Sequence, residues 1–465
     1  MSATQPPGEP VGAGERDRLL APFARFKRIA LAVSGGADSL ALMHLTACWA
    51  GARGVDPACG SGCHIEVVTV DHGLRAEADM EAAWVGAEAA KLGLPHTVLR
   101  WTKAWPATGL QAAARDARYQ LLLRFAVARG IDAIATGHQA EDQAETLIMR
   151  LARGSGVDGL AGMPGAAVLA PPHASRTAGA TVTLLRPLLQ VSKDRLAATL
   201  RAEGLSWLDD PSNQNLKFER VRLRQAAPVL SGLGLEPGRL ALSAHRLQRA
   251  RAALEQATGA LAARAVDLHD GLYCSIDRAA LDAAPAEIAL RLLGRVLSAY
   301  GGQTGPPRLA KLESLQAQLI GSRPHRATLA GCLIRADGAR VHVYREPGRA
   351  GLPVIMLGPG QSAPWDRRFL VGLCANARGP VVVRALAMDD LAILRHSKNP
   401  GMKLALPNKV LLSQPGFWHQ ERLVAIPCLD RGVDLRAAAR EWEAERHYSA
   451  VFTNAAVIMT SPGAG

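Results

Sequence analysis

The stretch Arg28–His44, RIALAVSGGADSLALMH, constrains the fold more than any other part of the chain. Ile29 to Val33 is an apolar run of strand length, Ser34-Gly35-Gly36 is a turn signal, and the residues from Asp38 onward read as an apolar helix. Gly35 and Gly36 open backbone conformations that other residues avoid. Successive N–H groups can therefore face one concavity, to which the following helix adds its own unpaired N–H groups and positive dipole end. Such a junction suits an anion. It is not a Walker loop, which needs a lysine after its last glycine, nor a G-x-G-x-x-G dinucleotide turn. Ser34-Gly35-Gly36-Ala37-Asp38-Ser39 offers two hydroxyls, a set of amides and one carboxylate. Asp38 repels phosphate unless a cation stands between them, so the loop implies Mg²⁺ held by Asp38 and by phosphate oxygens.

Downstream, strand and helix patterns alternate. Ile65 to Val70 reads as a strand ending in Asp71-His72-Gly73-Leu74-Arg75, Ala78 to Leu92 as a helix, and His96 to Trp101 as a strand. Leu110 to Arg129 is a long helix, Ala133 to Thr136 a strand, and Gln139 to Arg153 a helix stopped by Gly154. Near-continuous apolar strands separated by helices predict an α/β fold, a doubly wound parallel sheet with ligands at the carboxyl ends of its strands. The polar clusters fall at those ends. Asp71 and its neighbours are either a ligand contact or simply a turn. In Gly137-His138-Gln139-Ala140-Glu141-Asp142-Gln143-Ala144-Glu145, a helix starting near Gln139 puts Asp142 and Glu145 on one face with His138 at its mouth. Acidic residues there also complement the helix dipole, which accounts for Glu141 better than for Asp142.

Ser34 to Ser39 resembles the SGGxDS loop of the N-type ATP pyrophosphatases, which implies ATP cleaved between its α- and β-phosphates. A longer series sharpens the likeness: SGGADS, VDHGLR, Ala114-Arg115-Asp116-Ala117-Arg118-Tyr119, GHQAEDQAET, Arg153 to Leu160, Leu185-Arg186-Pro187-Leu188, and Asp210-Pro211-Ser212-Asn213 followed by Arg220 and Arg224. In order and spacing these residues, spanning about 28 to 225, resemble the bacterial tRNA(Ile)-lysidine synthetases. The resemblance implies a two-step ligase using ATP and Mg²⁺. The carbon-2 carbonyl oxygen of the wobble cytidine, in the isoleucine tRNA with a CAU anticodon, is adenylated. The ε-amine of L-lysine then displaces AMP.

On that resemblance Asp38 binds the metal, and Ser34, Gly35, Gly36, Ala37, Asp38 and Ser39 hold ATP. Asp142 and Glu145 hold and deprotonate lysine, while Arg118 and His138 act as cationic donors near the phosphates. Asp71, His72, Arg75, Arg115, Arg186, Asn213, Arg220 and Arg224 fall at substrate or tRNA positions. Two residues depart from the family pattern. Glu141-Asp142 replaces a pair of aspartates, and Val221 replaces an asparagine after Arg220, removing an amide that could touch RNA or brace a loop.

Charge points the same way. With 54 Lys+Arg against 41 Asp+Glu, the chain carries a formal net charge of +13, favouring a polyanionic partner. Between Arg186 and Arg251 there are 12 Lys/Arg against 6 Asp/Glu, read as a phosphate-tracking surface rather than a merely solvated face. Seven scattered cysteines and no long apolar run predict a cytoplasmic protein without a membrane span. Cys59, Cys63 and His64 read as a Gly/Ser loop more readily than as a metal site. Cys59 and Cys63 are the only candidates for the first rival, a tRNA thiolase. A second rival is a non-catalytic nucleic-acid-binding protein whose glycine loop is structural. The organisation expected is a disordered tail over 1–24, the catalytic domain over 25–225, a helical tRNA-binding middle domain over 226–345, and a smaller α+β or β-rich accessory tRNA-binding domain over 353–465.

Overall fold

The computed structural model describes residues 8–54, 63–73, 77–102, 110–169, 182–208, 219–269, 271–303, 307–321, 323–348, 351–377, 379–391, 407–427, 448–454 and 458–459. They form two compact units, the first running through Arg251 and the second beginning at Ala252.

In the first unit the chain runs α1 (Ala13–Leu19), β1 (Arg28–Ala32), α2 (Ala37–Ala52), β2 (His64–Asp71), α3 (Ala78–Lys91), β3 (His96–Arg100), α4 (Leu110–Arg129), β4 (Ala133–Thr136), α5 (Ala140–Leu151), α6 (Val157–Leu160), β5 (Ala166–Leu169), β6 (Val182–Leu185), α7 (Lys193–Ala202) and α8 (Glu219–Gly232). α9 (Pro237–Ala265) carries the chain into the second unit. The sheet order is β3-β2-β1-β4-β6-β5. All pairings are parallel except β5 with β6. This is the doubly wound sheet that the strand and helix alternation predicts. One face packs on α2, α3 and α7 through Leu40, Leu45, Trp49, Val85, Leu196 and Leu200, the other on α4 through Leu122, Leu123 and Ala126. Helix α2 is apolar almost all round because it is enclosed between the sheet and α7.

The sheet order reverses beside β1. The chain moves outward from β1 through β2 to β3, then returns to β4 on the other side, so the carboxyl ends of β1 and β4 flank a switch point. Two of the three polar clusters that stood out in the sequence, those after β1 and β4, are there.

Residues 8–24, expected from composition to be a disordered tail, are folded. Arg195 grips Glu15 with both guanidinium NH₂ groups, at 2.9 and 2.6 Å, and donates from Nε to the Glu9 carbonyl. The Val11 amide donates to Thr199 Oγ1, and Leu20 and Phe23 enter the core. These anchors come from residues nearly two hundred positions away, which a reading of local composition does not weigh.

The second unit holds β7 (Val266–His269), β8 (Tyr273–Asp277), α10 (Arg278–Asp282), α11 (Ala286–Gly301), α12 (Leu309–Leu319), β9 (His325–Leu329), β10 (Cys332–Ala336) and β11 (Arg340–Arg345). It continues through β12 (Ile355–Leu357), β13 (Ser362–Trp365), β14 (Phe369–Leu373), β15 (Val381–Ala385), β16 (Pro415–His419), β17 (Arg422–Ala425) and β18 (Tyr448–Phe452). The segment read as helical thus also contains an antiparallel sheet, ordered β7-β8-β11-β10-β9, against which α11 packs. Two smaller antiparallel sheets, β12-β15-β16-β17 and β13-β14-β18, form the β-rich remainder.

Candidate active site

The turn after β1 is fixed by its own side chains. Ser39 Oγ donates to the Gly36 carbonyl at 3.0 Å and accepts from the Ser34 amide at 3.1 Å, with Ser34 Oγ 3.4 Å away. Gly35 has φ +89°, and a Cβ there would meet Leu208 Cδ1 at 2.8 Å. Its carbonyl accepts from the Leu208 amide. Ala37 is buried as the first residue of α2, leaving its N-terminal amides facing the turn.

Gly137, after β4, is required by close approach. A Cβ at that position would stand 2.7 Å from the Asp38 carbonyl oxygen and 2.9 Å from the Ser39 amide nitrogen. That contact locks the β4–α5 turn against the first turn of α2. It therefore holds the anion loop beside the acidic start of α5. Here Gln139 caps α5, accepting from the amides of Glu141 and Asp142 while Asp142 Oδ2 accepts from the Gln139 amide at 3.3 Å. Glu141 turns to the side, its Oε2 accepting from the Lys193 amide at 3.0 Å at the start of α7.

Asp38 is the least compensated group of the site. Its Oδ1 is buried without a hydrogen-bond partner. Burial, opposed by Lys193 and reinforced by Asp142, raises its pKa to about 6. A buried, orphaned carboxylate oxygen beside a second carboxylate is a fitting ligand for a hard cation that completes its shell with phosphate oxygens. Among the described residues no group of three or more His, Cys, Asp or Glu could hold a metal by itself. Asp38 with Asp142 fits Mg²⁺ brought with a nucleotide rather than a resident ion.

Glu145, buried on the next turn of α5, is bound by α8. Arg224 Nε donates to Glu145 Oε1 at 2.6 Å and its NH₂ group to Oε2 at 3.5 Å. Arg220 Nε lies 3.9 Å from Glu145 Oε2, and both arginines lie within 4.0 Å of Asp142 Oδ1. Burial raises the Glu145 carboxyl, opposed by its bond to Arg224. For Arg224, burial acts to lower the pKa and the Glu145 bond outweighs it.

The other pole is cationic. Burial, together with Arg186, Arg118, Arg115 and Arg220, drives the His138 imidazole down to about 3, and its Nδ1 lies 2.8 Å from Thr136 Oγ1. His138 is therefore neutral at physiological pH, not the cationic donor expected. Burial first, and then the surrounding guanidinium groups, disfavour its protonated form. Arg118 carries the charge, though burial lowers its pKa. Arg186 is buried, donates to the Pro164 carbonyl at 2.9 Å, and has its Nε without a partner. Arg115 is exposed, its guanidinium 5.3 Å from the Tyr119 ring.

Of the other candidates, Asp71 Oδ1 accepts from the Gly73 amide at 2.8 Å and so also serves its own turn. Burial lowers the His72 pKa, with Arg118 adding to the effect. Arg75 and Asn213 lie outside the described residues, as does Cys59. Sequence reading passed over Gln139 and Lys193. A Q-x-x-D cap is a weak signal, and Lys193 reaches the site only because β6 pairs beside β4. Val221 is the one residue of α8 that is buried, so it anchors the helix.

An amide-lined turn at the switch point of a parallel sheet, with a carboxylate two residues beyond its glycines, defines a nucleotide-binding α/β protein of the PP-loop class. Residues 13–230 match the family model described as the PP-loop domain. The chain is 40% identical to the tRNA(Ile)-lysidine synthase of Ruegeria pomeroyi over 90% of its own length and 91% of that protein. It is 45% identical to the one from a Bradyrhizobium species, covering 73% of this chain and 96% of that one. With that of Rhodopseudomonas palustris it shares 43% identity, over 74% and 97%. The chain belongs to the tRNA(Ile)-lysidine synthase family. Among solved structures, a U34-tRNA thiolase from Methanococcus maripaludis aligns with TM-score 0.40 and 16% identity, covering 51% of this chain and 78% of that one.

Proposed function

We propose that the protein ligates L-lysine to carbon-2 of the wobble cytidine of the CAU-anticodon isoleucine tRNA, at the expense of ATP cleaved to AMP and pyrophosphate. Family membership supports the tRNA modification, and the loop geometry supports the nucleotide. The observation that carries the chemistry is the adjacency of two opposite poles. An amide turn with Arg118, Arg186 and Arg115 suits phosphates and RNA, while Asp142 and Glu145 suit a cationic amino acid.

In the first step the cytidine carbon-2 oxygen attacks the α-phosphorus and pyrophosphate leaves, its charge received by the turn amides and Arg118. His138, neutral, donates or accepts a hydrogen bond there but adds no charge. Mg²⁺, held by Asp38 with Asp142, would neutralise phosphate charge. In the second step the lysine ε-amine attacks carbon-2 and AMP departs with the former carbonyl oxygen. Burial raises the Glu145 carboxyl, which makes it a better acceptor for the ammonium proton. A cytoplasmic location, with its supply of tRNA, ATP and lysine, belongs to this proposal. No helix among the described residues is long and apolar enough to cross a membrane.

A thiolase reading lacks support from Cys63. That thiol lies just before β2, near Asp132, at the amino ends of the strands, while the anion loop is at their carboxyl ends. Burial and Asp132 push it up to about 11, which leaves it protonated and unreactive. The deciding experiment is mass spectrometry of tRNA nucleosides after incubation with ATP and lysine. The expected product is a wobble cytidine heavier by a lysine residue. ATP consumption on tRNA that is equal with and without lysine, with no lysine mass on the cytidine, would overturn the assignment.

A further inference from the structure

The carboxylates proposed to bind lysine are already engaged by a cation of the protein itself. Arg224 contacts both oxygens of Glu145, at 2.6 and 3.5 Å, and Arg220 and Arg224 lie 3.9 and 4.0 Å from Asp142 Oδ1. A lysine ammonium carries three donors that must reach the same oxygens. Glu145 is only 7% exposed along its side chain, so there is little open carboxylate for a second cation to use. As the site stands, the guanidinium groups occupy the place of the substrate ammonium.

The helix that delivers them is lightly held. Val221 is the only buried residue of α8, and the Arg224 side chain is 43% exposed. The ion pair from Arg153 to Glu219 at its start is solvent-facing. Few buried contacts and an exposed face are the features of an element that opens at low free energy. The arginines also reach toward the phosphate pole: Arg220 acts electrostatically on His138 as well as on Glu145, and Arg224 on Asp38. A guanidinium group binds phosphate by the same two-pronged geometry that it uses for a carboxylate.

We propose that Arg220 and Arg224 form a latch on the ammonium site, holding Asp142 and Glu145 until a phosphate-bearing ligand draws the guanidinium groups away. Lysine then binds after that ligand and not before it. The latch rests on the reading of Asp142 and Glu145 as the lysine carboxylates. Its consequence is that free lysine, doubly cationic and small, does not occupy the site of a protein that has nothing to modify. The phosphate comes from the nucleotide or from the RNA backbone; the chemistry is the same, and the two are separable by experiment.

The test is equilibrium dialysis of isotopically labelled L-lysine against the full-length protein. It is run alone, with a non-hydrolysable ATP analogue and Mg²⁺, with the isoleucine tRNA transcript, and with both. For the wild type, affinity should rise by about 10-fold or more when the phosphate source is present, a gain within the usual range of coupling between sites. A gain with the analogue alone assigns the phosphate to the nucleotide, and a gain with tRNA alone assigns it to RNA. Arg224→Gln should bind lysine in the absence of either ligand and lose most of the gain. Gln225→Ala, exposed on α8, should behave as wild type. Wild-type affinity that is flat across all four conditions would overturn the latch whatever the variants do. If that flat protein still places lysine on tRNA, the proposed function stands without the latch. If it neither binds lysine nor transfers it, both fall.

Discussion

The two units treat buried charge in opposite ways. In the second, each buried carboxylate among the described residues is held by two arginines. Glu255 bridges Arg291 at 2.7 Å and Arg295, joining α9 to α11, and Asp366 takes Arg345 through two hydrogen bonds and Arg368 through a third. In the first, the buried Asp38 oxygen has no partner, His138 sits unprotonated among arginines, and Asp142 and Glu145 hold arginines on a loosely anchored helix. A matched buried pair specifies packing, and an unmatched buried charge is a standing cost that only a ligand relieves. By this criterion the chemistry belongs to the first unit and the ion clusters of the second are architectural.

Asp38 offers the largest break. Asp38→Asn should lower tRNA-dependent pyrophosphate release on the order of 100- to 1,000-fold, because the phosphates lose their metal bridge. The same variant should be more stable than wild type at neutral pH. A folded pKa of about 6 against 3.8 means that the native state holds its proton more tightly than the unfolded chain. Wild-type stability therefore falls as pH rises between those values, by something on the order of 3 kcal/mol. The advantage of Asp38→Asn should be full above about pH 6 and vanish near pH 3.8 in paired thermal melts. Activity within a few-fold of wild type would make Asp38 structural.

The converse break is Asp366→Ala. It strands two guanidinium groups in the second unit, so a loss of about 3 to 5 kcal/mol is expected, read as faster amide exchange in β11 and β14. Exchange in β1 and β4 should not change. An equal loss of protection in both units would show that the division between site and scaffold is not as drawn.

Asp142→Asn and Glu145→Gln remove one charge each while keeping shape. A hydrogen bond to a charged group contributes about 1.5 to 3 kcal/mol, so the lysine requirement should rise by about 10- to 100-fold in steady-state ligation. Adenylated tRNA should still accumulate in a single-turnover assay without lysine, at the wild-type rate for Glu145→Gln and more slowly for Asp142→Asn, whose carboxylate also helps to hold the metal. Loss of adenylation with an unchanged lysine requirement would place both carboxylates on the nucleotide instead.

The smallest effect sharpens the contrast. Arg153 and Glu219 approach to 2.6 Å, as close as the buried pairs, yet are 60% and 41% exposed. Arg153→Ala should shift stability by less than about 1 kcal/mol in denaturant titration, since water screens the pair.

What was legible in the sequence follows from local chemistry. Apolar runs of strand length, glycine stops and the Ser34 to Ser39 turn dictate alternating elements and an anion site, and α4 and β4 fall at the residues that periodicity assigns. Motif order carries the family as far as Arg224. The sequence also brings Asp142 and Glu145 onto one helical face, because helix periodicity alone does that.

Only the tertiary structure decided the rest. That Gly137 must lack a side chain follows from the carbonyl of Asp38, a hundred residues earlier, lying against it. The folded N-terminal segment depends on Arg195, and the compact units divide at Arg251, inside a helix that no local composition interrupts. Charge state was equally hidden. Burial, with arginines from α4, α8 and the residue after β6, leaves His138 neutral, and burial leaves Asp38 Oδ1 without a hydrogen-bond partner. Solvation and pairing are properties of neighbours in space, and the chain brings those neighbours together only by folding.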